Sequence, residues 1–240
     1  MNSFKKIIPA SLKLLYRINQ RRCKDLYYRT YKKFALQHAK EDGFYSIIII
    51  EQPVRSTGSS INKITNLALA IKKLNNIIIQ TGEIFSFWQI VGNPSQKNGY
   101  QKSRSIINGE VEEAIGGGLC QLSGLIYFLA IQAGLTITER HAHSVDIYKE
   151  EERFTPLGSD ATVAYGYKDL RFMNQNHFPV LLSFQLTETL LTGSLLAKEK
   201  LEPCPITFEY RRFLTHTEVD TLSVINGHPV LLCSNSYRCG

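Results

Sequence analysis

Apolar residues recur at the period of a helix in three stretches of this 240-residue chain. From about Phe4 to Ala39, Leu12, Leu15, Ile18 and Leu26 are interleaved with Lys13, Arg17, Arg21, Arg22, Lys24 and Arg29, the pattern of one or two basic amphipathic helices. From Ile61 to Leu74 the apolar positions Ile61, Ile64, Leu67, Ala68, Ile71 and Leu74 trace one helical face, with Ser59 or Ser60 placed to cap its start. The third stretch, Leu122 to Leu135, puts Leu122, Leu125, Ile126, Leu129, Ala130 and Ala133 at the spacing of a helix buried on most sides.

Between and after these helices the pattern shortens to strands. Tyr45–Glu51 is β-branched until Pro53 ends it, and Asn76–Gln80 gives a second, shorter strand. A turn-rich loop at Gly92-Asn93-Pro94 leads to Ser105–Val111, where Asn108-Gly109 predicts a hairpin. Thr136–Tyr148 reads as one extended, alternating segment, followed by a polar loop through Glu150-Glu151-Glu152-Arg153. Further strands are expected from Asp160 to Tyr165, at Val180–Leu186, at Ile206–Tyr210 and around a second Asn-Gly turn, Asn226-Gly227. The fold class is α+β: a cysteine at the N-terminus of a central buried helix packed on an antiparallel sheet, preceded by a basic helical arm. The arm is assigned to residues 1–43 and the α+β domain to 44–240, with a motif-bearing core at about 77–185 and a β-rich extension at 186–240.

Charge separates the arm from the domain. The formal net charge is +7, yet residues 1–40 hold 11 Lys/Arg and one Asp, leaving 17 Lys/Arg against 20 Asp/Glu in the remainder. Two readings of the arm stay open: a helix packed on the domain with a solvated cationic face, or a surface that sits on anionic lipid. No reading motif accompanies the charge, so nucleic acid is not expected as a partner. Five cysteines without a CxxC pair fit neither a disulfide framework nor a zinc knuckle, which favours a reducing compartment. The apolar run Ile7–Leu12 is cut short by Lys13 and Arg17, and no run approaches the ~20 residues of a membrane span. A cytoplasmic location is expected, with the arm as the means of meeting the inner membrane face.

Candidate chemistry centres on Gly116-Gly117-Gly118-Leu119-Cys120-Gln121, which feeds the central helix. Free backbone N–H groups and the macrodipole at a helix start favour an anion, the setting in which a cysteine becomes reactive. A thiol nucleophile needs a base and the base an orienting group, and His143 and Asp160 follow in that order. His141 and His143, two apart on an expected strand, would face the same way, so either could be the base. The Gln121 amide and backbone N–H are placed to stabilise an oxyanion. His141, His143, Cys120 and Asp160 are legitimate zinc ligands, but no second close-spaced pair supports a metal. The glycine run lacks the residues of a phosphate cradle, and no cofactor is expected.

Several motifs taken together resemble the VanW family: Phe85-Ser86-Phe87, Gly99-Tyr100, Gly116 through Ser123, Glu139-Arg140-His141-Ala142-His143-Ser144, Asp160-Ala161-Thr162-Val163 and Asp169 through Asn174. The family occurs in glycopeptide-resistance gene clusters and in cell-envelope proteins, and some of its members are understood to act as L,D-transpeptidases through the cysteine of this glycine-rich motif. The resemblance implies Cys120 as nucleophile and His143 as base, with His141 the alternative base. Asp160 as orienter rests on the expected geometry more than on the family. Gly117, Gly118, Gln121, Ser123, Arg140 and Ser144 become candidate oxyanion or substrate-binding positions. The implied partner is a cell-wall peptide or lipid-linked precursor, acted on by a cysteine acyl-transfer enzyme or, as the alternative, bound by a non-catalytic accessory protein at the membrane surface.

Overall fold

The computed structural model describes residues 9–40, 42–54, 60–107, 110–146, 153, 155–225 and 227–239. The first eight residues of the arm, Ser59, the turn residues Asn108, Gly109 and Asn226, and positions 150–152 of the polar loop lie outside the described residues. In chain order the elements are α1 (Ala10–Tyr27), a 3-10 turn (Thr30–Lys33), β1 (Gln37–His38), β2 (Tyr45–Pro53), α2 (Ser60–Leu74), β3 (Ile77–Ile79), β4 (Ile84–Ser86) and α3 (Phe87–Val91). They continue with β5 (Lys102–Ile107), β6 (Glu110–Ile115), α4 (Leu119–Gln132), β7 (Thr136–Glu139), β8 (Val145–Asp146), β9 (Arg171–Met173) and β10 (Val180–Leu186). The C-terminal part holds β11 (Leu190–Ala197), β12 (Ile206–Arg212), β13 (His216–Ile225) and β14 (His228–Cys239).

The chain is α+β. One sheet runs β1-β3-β10-β11-β2, a second β12-β13-β14-β8, a third β4-β9-β7, and β5 pairs with β6. Among the described residues the named strands pair antiparallel except β8 with β14. Helix α4 packs on β2 and β11 of the first sheet. Its apolar residues Leu122, Leu125, Ile126, Leu129 and Ala130 are fully buried, so its amphipathic character is lost and its stability comes from tertiary packing on every side. The third sheet is held to the core by Phe85 and Phe172, whose rings stack with centroids 4.6 Å apart.

Two expected strands are replaced by irregular chain. Of the expected stretch 136–148, Ile147 and Tyr148 lie outside the described residues; among 136–146 only Thr136–Glu139 and Val145–Asp146 are strand, and 160–165 forms none. One backbone link joins them, from the Thr162 N–H to the His141 carbonyl at 2.7 Å, and the Asp160 carboxylate takes the His143 N–H at 2.7 Å. Side chains thus satisfy donors that a ladder would otherwise pair, and the backbone is freed to turn.

Helix α1 is fastened by polar contacts along one edge. Arg21 grips Glu139 with both guanidinium nitrogens, at 2.9 and 2.6 Å, and Asp25 takes two hydrogen bonds from Arg171, at 2.6 and 3.0 Å. Burial alone would raise the Glu139 carboxyl, but hydrogen bonds from His141 and Arg21 outweigh it and hold it down at about 2. Beside it, Asp169 accepts from Ser86 and Arg171 and from the Trp88 N–H at the start of α3, although burial pushes its carboxyl up. No helix among the described residues is long and apolar enough to cross a membrane.

Helix α4 comes close against the sheet at Gly193 of β11. A Cβ there would collide with Leu125 Cδ2 and lie 3.2 Å from Leu129 Cδ1. Gly193→Ala is therefore expected to destabilise the fold by about 2 kcal/mol through overpacking, read as a lower urea midpoint with an unchanged slope. An unchanged midpoint would mean that α4 does not press on the sheet as described.

Candidate functional site

The strand β6 delivers the chain to Gly116-Gly117-Gly118, and α4 starts one residue later. Gly118 has φ +99°, open to glycine at little cost. Gly117 is wedged against β5: a Cβ would come within 2.6 Å of the Arg104 carbonyl oxygen and closer still to that of Ser103. Asn66, fully buried on α2, donates to the Gly117 carbonyl and the Gln101 carbonyl, both at 3.0 Å, and so locks the glycine turn to the end of β5. Cys120 is the second residue of α4 and is half-buried. Its S–H is directed at the Val163 carbonyl, 3.7 Å away. Among the described residues, the backbone N–H groups of Gly118 and Cys120 have no acceptor.

The irregular segments 140–144 and 158–163 lie over this helix start. Ser123, one turn into α4, donates to the Ala161 carbonyl at 2.6 Å and is fully buried, which ties the second segment to the helix. Asp160 then becomes a junction. One carboxylate oxygen takes His143 Nδ1 at 2.6 Å and the His143 N–H at 2.7 Å; the other takes Arg140 Nη2 at 2.9 Å and the Tyr237 hydroxyl at 2.6 Å. Arg140 also donates from Nε to the Asp160 carbonyl at 2.7 Å, from Nη2 to the Gly158 carbonyl at 3.0 Å and from Nη1 to Asn235 Oδ1 at 2.7 Å. Its guanidinium carbon sits 4.8 Å from the centre of the Tyr127 ring on α4.

These contacts set the charge states. Burial would raise the Asp160 carboxyl, but the hydrogen bond from His143, then the Arg140 charge, hold it far below the ordinary carboxylate range. Burial works against a charged His143 as well. The hydrogen bond to Asp160, and after it the interaction with the Cys120 sulfur, outweigh that and lift it from 6.5 to about 10. At neutral pH His143 is an imidazolium, with one N–H on Asp160 and the other free to serve the sulfur. The Tyr237 phenol is pushed up by burial, then by the Asp160 charge, so it stays a neutral donor.

The structure brings Cys120, His143 and Asp160 together and separates His141 from them. The two histidines do not share a face: His141 Nε2 pairs with Glu139 Oε1 at 3.1 Å, while His143 turns to Asp160. The intervening chain is not strand, so the alternation that would align them is absent. Four of the candidate oxyanion or substrate positions are already engaged. The Gln121 amide donates to the Pro53 carbonyl at 3.1 Å and its N–H to the Gly118 carbonyl at 3.0 Å. The Gly117 N–H is taken by the Ala114 carbonyl at 3.2 Å, and Ser123 and Arg140 are buried within the framework just described. Gly118 keeps a free N–H, as above. Ser144 is exposed, and its carbonyl accepts the Arg238 N–H at 3.1 Å. Among the described residues no three His, Cys, Asp or Glu side chains are grouped for a metal ion.

Three participants went unseen in the sequence: Cys233, Asn235 and Tyr237 on β14. Tyr127 OH, Arg140 Nη1 and Asn235 Nδ2 all lie within reach of the Cys233 sulfur, at 3.6, 3.8 and 3.2 Å. The three alternate along one strand and so share a face, a row of polar side chains spaced two apart that points to a buried polar partner.

A family model described as VanW like protein matches residues 62–196, more than half of the chain. The chain is 37% identical over 117 residues to the uncharacterized protein YoaR of Bacillus subtilis (strain 168), covering 49% of this chain and 37% of that one. It is 32% identical over 139 residues to the vancomycin B-type resistance protein VanW of Enterococcus faecalis (strain ATCC 700802 / V583), covering 58% of this chain and 50% of that protein. The chain thus spans half the length or less of these two relatives. No solved structure matches it. The matched stretch includes the glycine turn, Cys120, His143 and Asp160, and the chain belongs to the VanW family.

Proposed function

We propose that this protein is a cysteine acyl-transfer enzyme that acts on peptidoglycan peptides or their precursors. The observation that carries the reading is a half-buried cysteine in the first turn of a helix, beside an imidazolium held by a fourfold-bonded carboxylate. The relative named as a vancomycin B-type resistance protein supports a cell-wall peptide as the substrate class.

Cys120 reacts as the thiolate, its proton already resting on the His143 imidazolium, and the sulfur electron pair attacks an amide carbonyl. A C–S bond forms as the C–N bond breaks, and His143 returns the proton to the leaving amine. An incoming amine or water then attacks the thioester, loses its proton to His143 and releases the sulfur. The developing oxyanion is met by the Cys120 and Gly118 N–H groups at the positive end of α4, in place of the occupied Gln121. His143 is the base and acid, Asp160 its orienter, and Arg140 and Tyr237 are positioning residues that keep Asp160 ionised and aimed.

Incubation with muropeptides or a lipid-linked precursor is expected to leave an acyl adduct, detected by intact mass and lost in Cys120→Ala. No adduct with either substrate, together with a Cys120 that resists iodoacetamide at neutral pH, would sink the assignment. In Asp160→Asn the His143 titration, followed by its ring resonances, is expected to fall from about 10 back toward 6.5. Acyl transfer should drop by about a hundredfold or more in the same variant. A His143 midpoint that stays near 10 would remove Asp160 from its role.

The sign of the pH effect on stability follows from the same pair. His143 has a raised folded value, so its contribution is present in full below 6.5 and is lost as pH rises through about 10. Asp160 has a depressed one, so its contribution is present above 3.8 and is lost only as the pH falls well below that. The unfolding midpoint in urea should therefore decline between neutral pH and about 10, and the decline should be smaller in His143→Gln.

A further inference from the structure

Helix α1 turns one face to the rest of the described chain and leaves a second exposed. Leu14, Ile18, Arg21 and Asp25 point inward: Arg21 and Asp25 to their ion-pair partners, Leu14 and Ile18 onto Gly166, where a Cβ would stand 2.6 Å from Leu14 Cδ1 and 3.2 Å from Ile18 Cγ1. At about 100° per residue, Leu12, Leu15, Tyr16, Leu26 and Tyr27 fall in a stripe about 120° wide on the other side. These five side chains are from 53% to 81% exposed. Exposed Arg17 and Lys24 lie along one border of the stripe and exposed Arg22 along the other.

We infer that the outward face of α1 is a docking surface for an anionic lipid bilayer. The charge pattern selects that occupant. Asp25 is the single acidic residue in the first 40, and it is buried on the inward side against Arg171, so α1 places no carboxylate of its own on the outward face beside its cations. A second copy of the same face would set Arg17, Arg22 and Lys24 against their equals, whereas anionic headgroups neutralise them while the leucines enter the acyl boundary and the tyrosines sit at headgroup level. Exposed Tyr28 and Tyr31 extend the aromatic content just beyond the helix.

The helix also rests on the loop beside the thiol. Gly166, under Leu14, is three residues from Val163, whose carbonyl faces Cys120, and Arg21 reaches the Glu139 that holds His141. Docking through α1 therefore brings the candidate site close to the headgroup layer. The inference does not depend on the chemistry assigned to Cys120.

Cosedimentation of the full chain with vesicles of equal parts phosphatidylcholine and phosphatidylglycerol tests it, against vesicles of phosphatidylcholine alone. Binding is expected to the anionic vesicles only and to weaken steeply with salt. Arg17→Gln/Arg22→Gln/Lys24→Gln should weaken it by roughly a hundredfold, at about fivefold for each charge lost, while Arg17→Lys/Arg22→Lys retains it. Leu15→Asn/Leu26→Asn, at exposed positions that the fold does not need, should also lose binding, and Cys120→Ala should bind as the parent does. Equal binding to both vesicle types, or undiminished binding by the triple variant, would overturn the inference. So would a dimer in light scattering that Leu15→Asn/Leu26→Asn converts to monomer, which would assign the face to a second copy.

Discussion

The site depends on one carboxylate. Asp160 sits in an irregular stretch with no ladder to hold it, and its side-chain oxygens are fixed by four donors from three places: two from His143, one from Arg140 and one from Tyr237. Such a charge is tolerable away from water only when its lone pairs are occupied, and here two of the partners are held in turn, Arg140 by Gly158 and Asn235 and Tyr237 by the Arg140 guanidinium. Arg140 is spread over Gly158, Asn235 and the Tyr127 ring, so the helix, the two irregular segments and the last strand meet at one guanidinium. Removing one participant leaves the others buried and short of a partner, a larger loss than the bond itself.

A second cluster does comparable work on the opposite flank of the same chain segment. Glu139 receives Arg21, His141 and the Asp169 N–H, while Arg171 bridges Asp169 and Asp25. Adjacent residues thus feed different networks, Glu139 the one that fastens α1 and Arg140 the one that aims His143. The segment from Glu139 to Ser144 leaves the sheet where the His141 carbonyl and the His143 N–H take partners from Thr162 and Asp160 in place of a neighbouring strand. That division also settles which histidine stands with the cysteine.

Much of this was legible in the chain. The glycine run, the buried helix after it, the order Cys120, His143, Asp160 and the antiparallel pairs β5–β6 and β13–β14 all follow from periodicity and turn chemistry, and the family membership from joint motifs. What was not legible is where side chains override local preference. Residues 136–148 alternate like a strand, yet Arg140 and His143 turn the backbone toward Asp160. Gln121 follows a cysteine at a helix start and so resembles an oxyanion donor, but the nearby end of β2 presents the Pro53 carbonyl to it. Tyr237 lies 77 residues from Asp160, a separation across which no local pattern carries information. Nor does its strand fall within the stretch that the family model matches.

At Gly117 an absent atom determines a distance that matters to the site. Carbonyl oxygens of Ser103 and Arg104 occupy the space a side chain would take, so the backbone of the turn lies directly on β5. The start of α4 is thereby registered against the sheet edge as a part is registered against a stop. Even a methyl group would lift that end of the helix and carry the sulfur away from a ring whose own position is fixed by unrelated bonds. The tolerance of the thiol–imidazole pair is thus set on the far side of the turn, by atoms that touch neither residue.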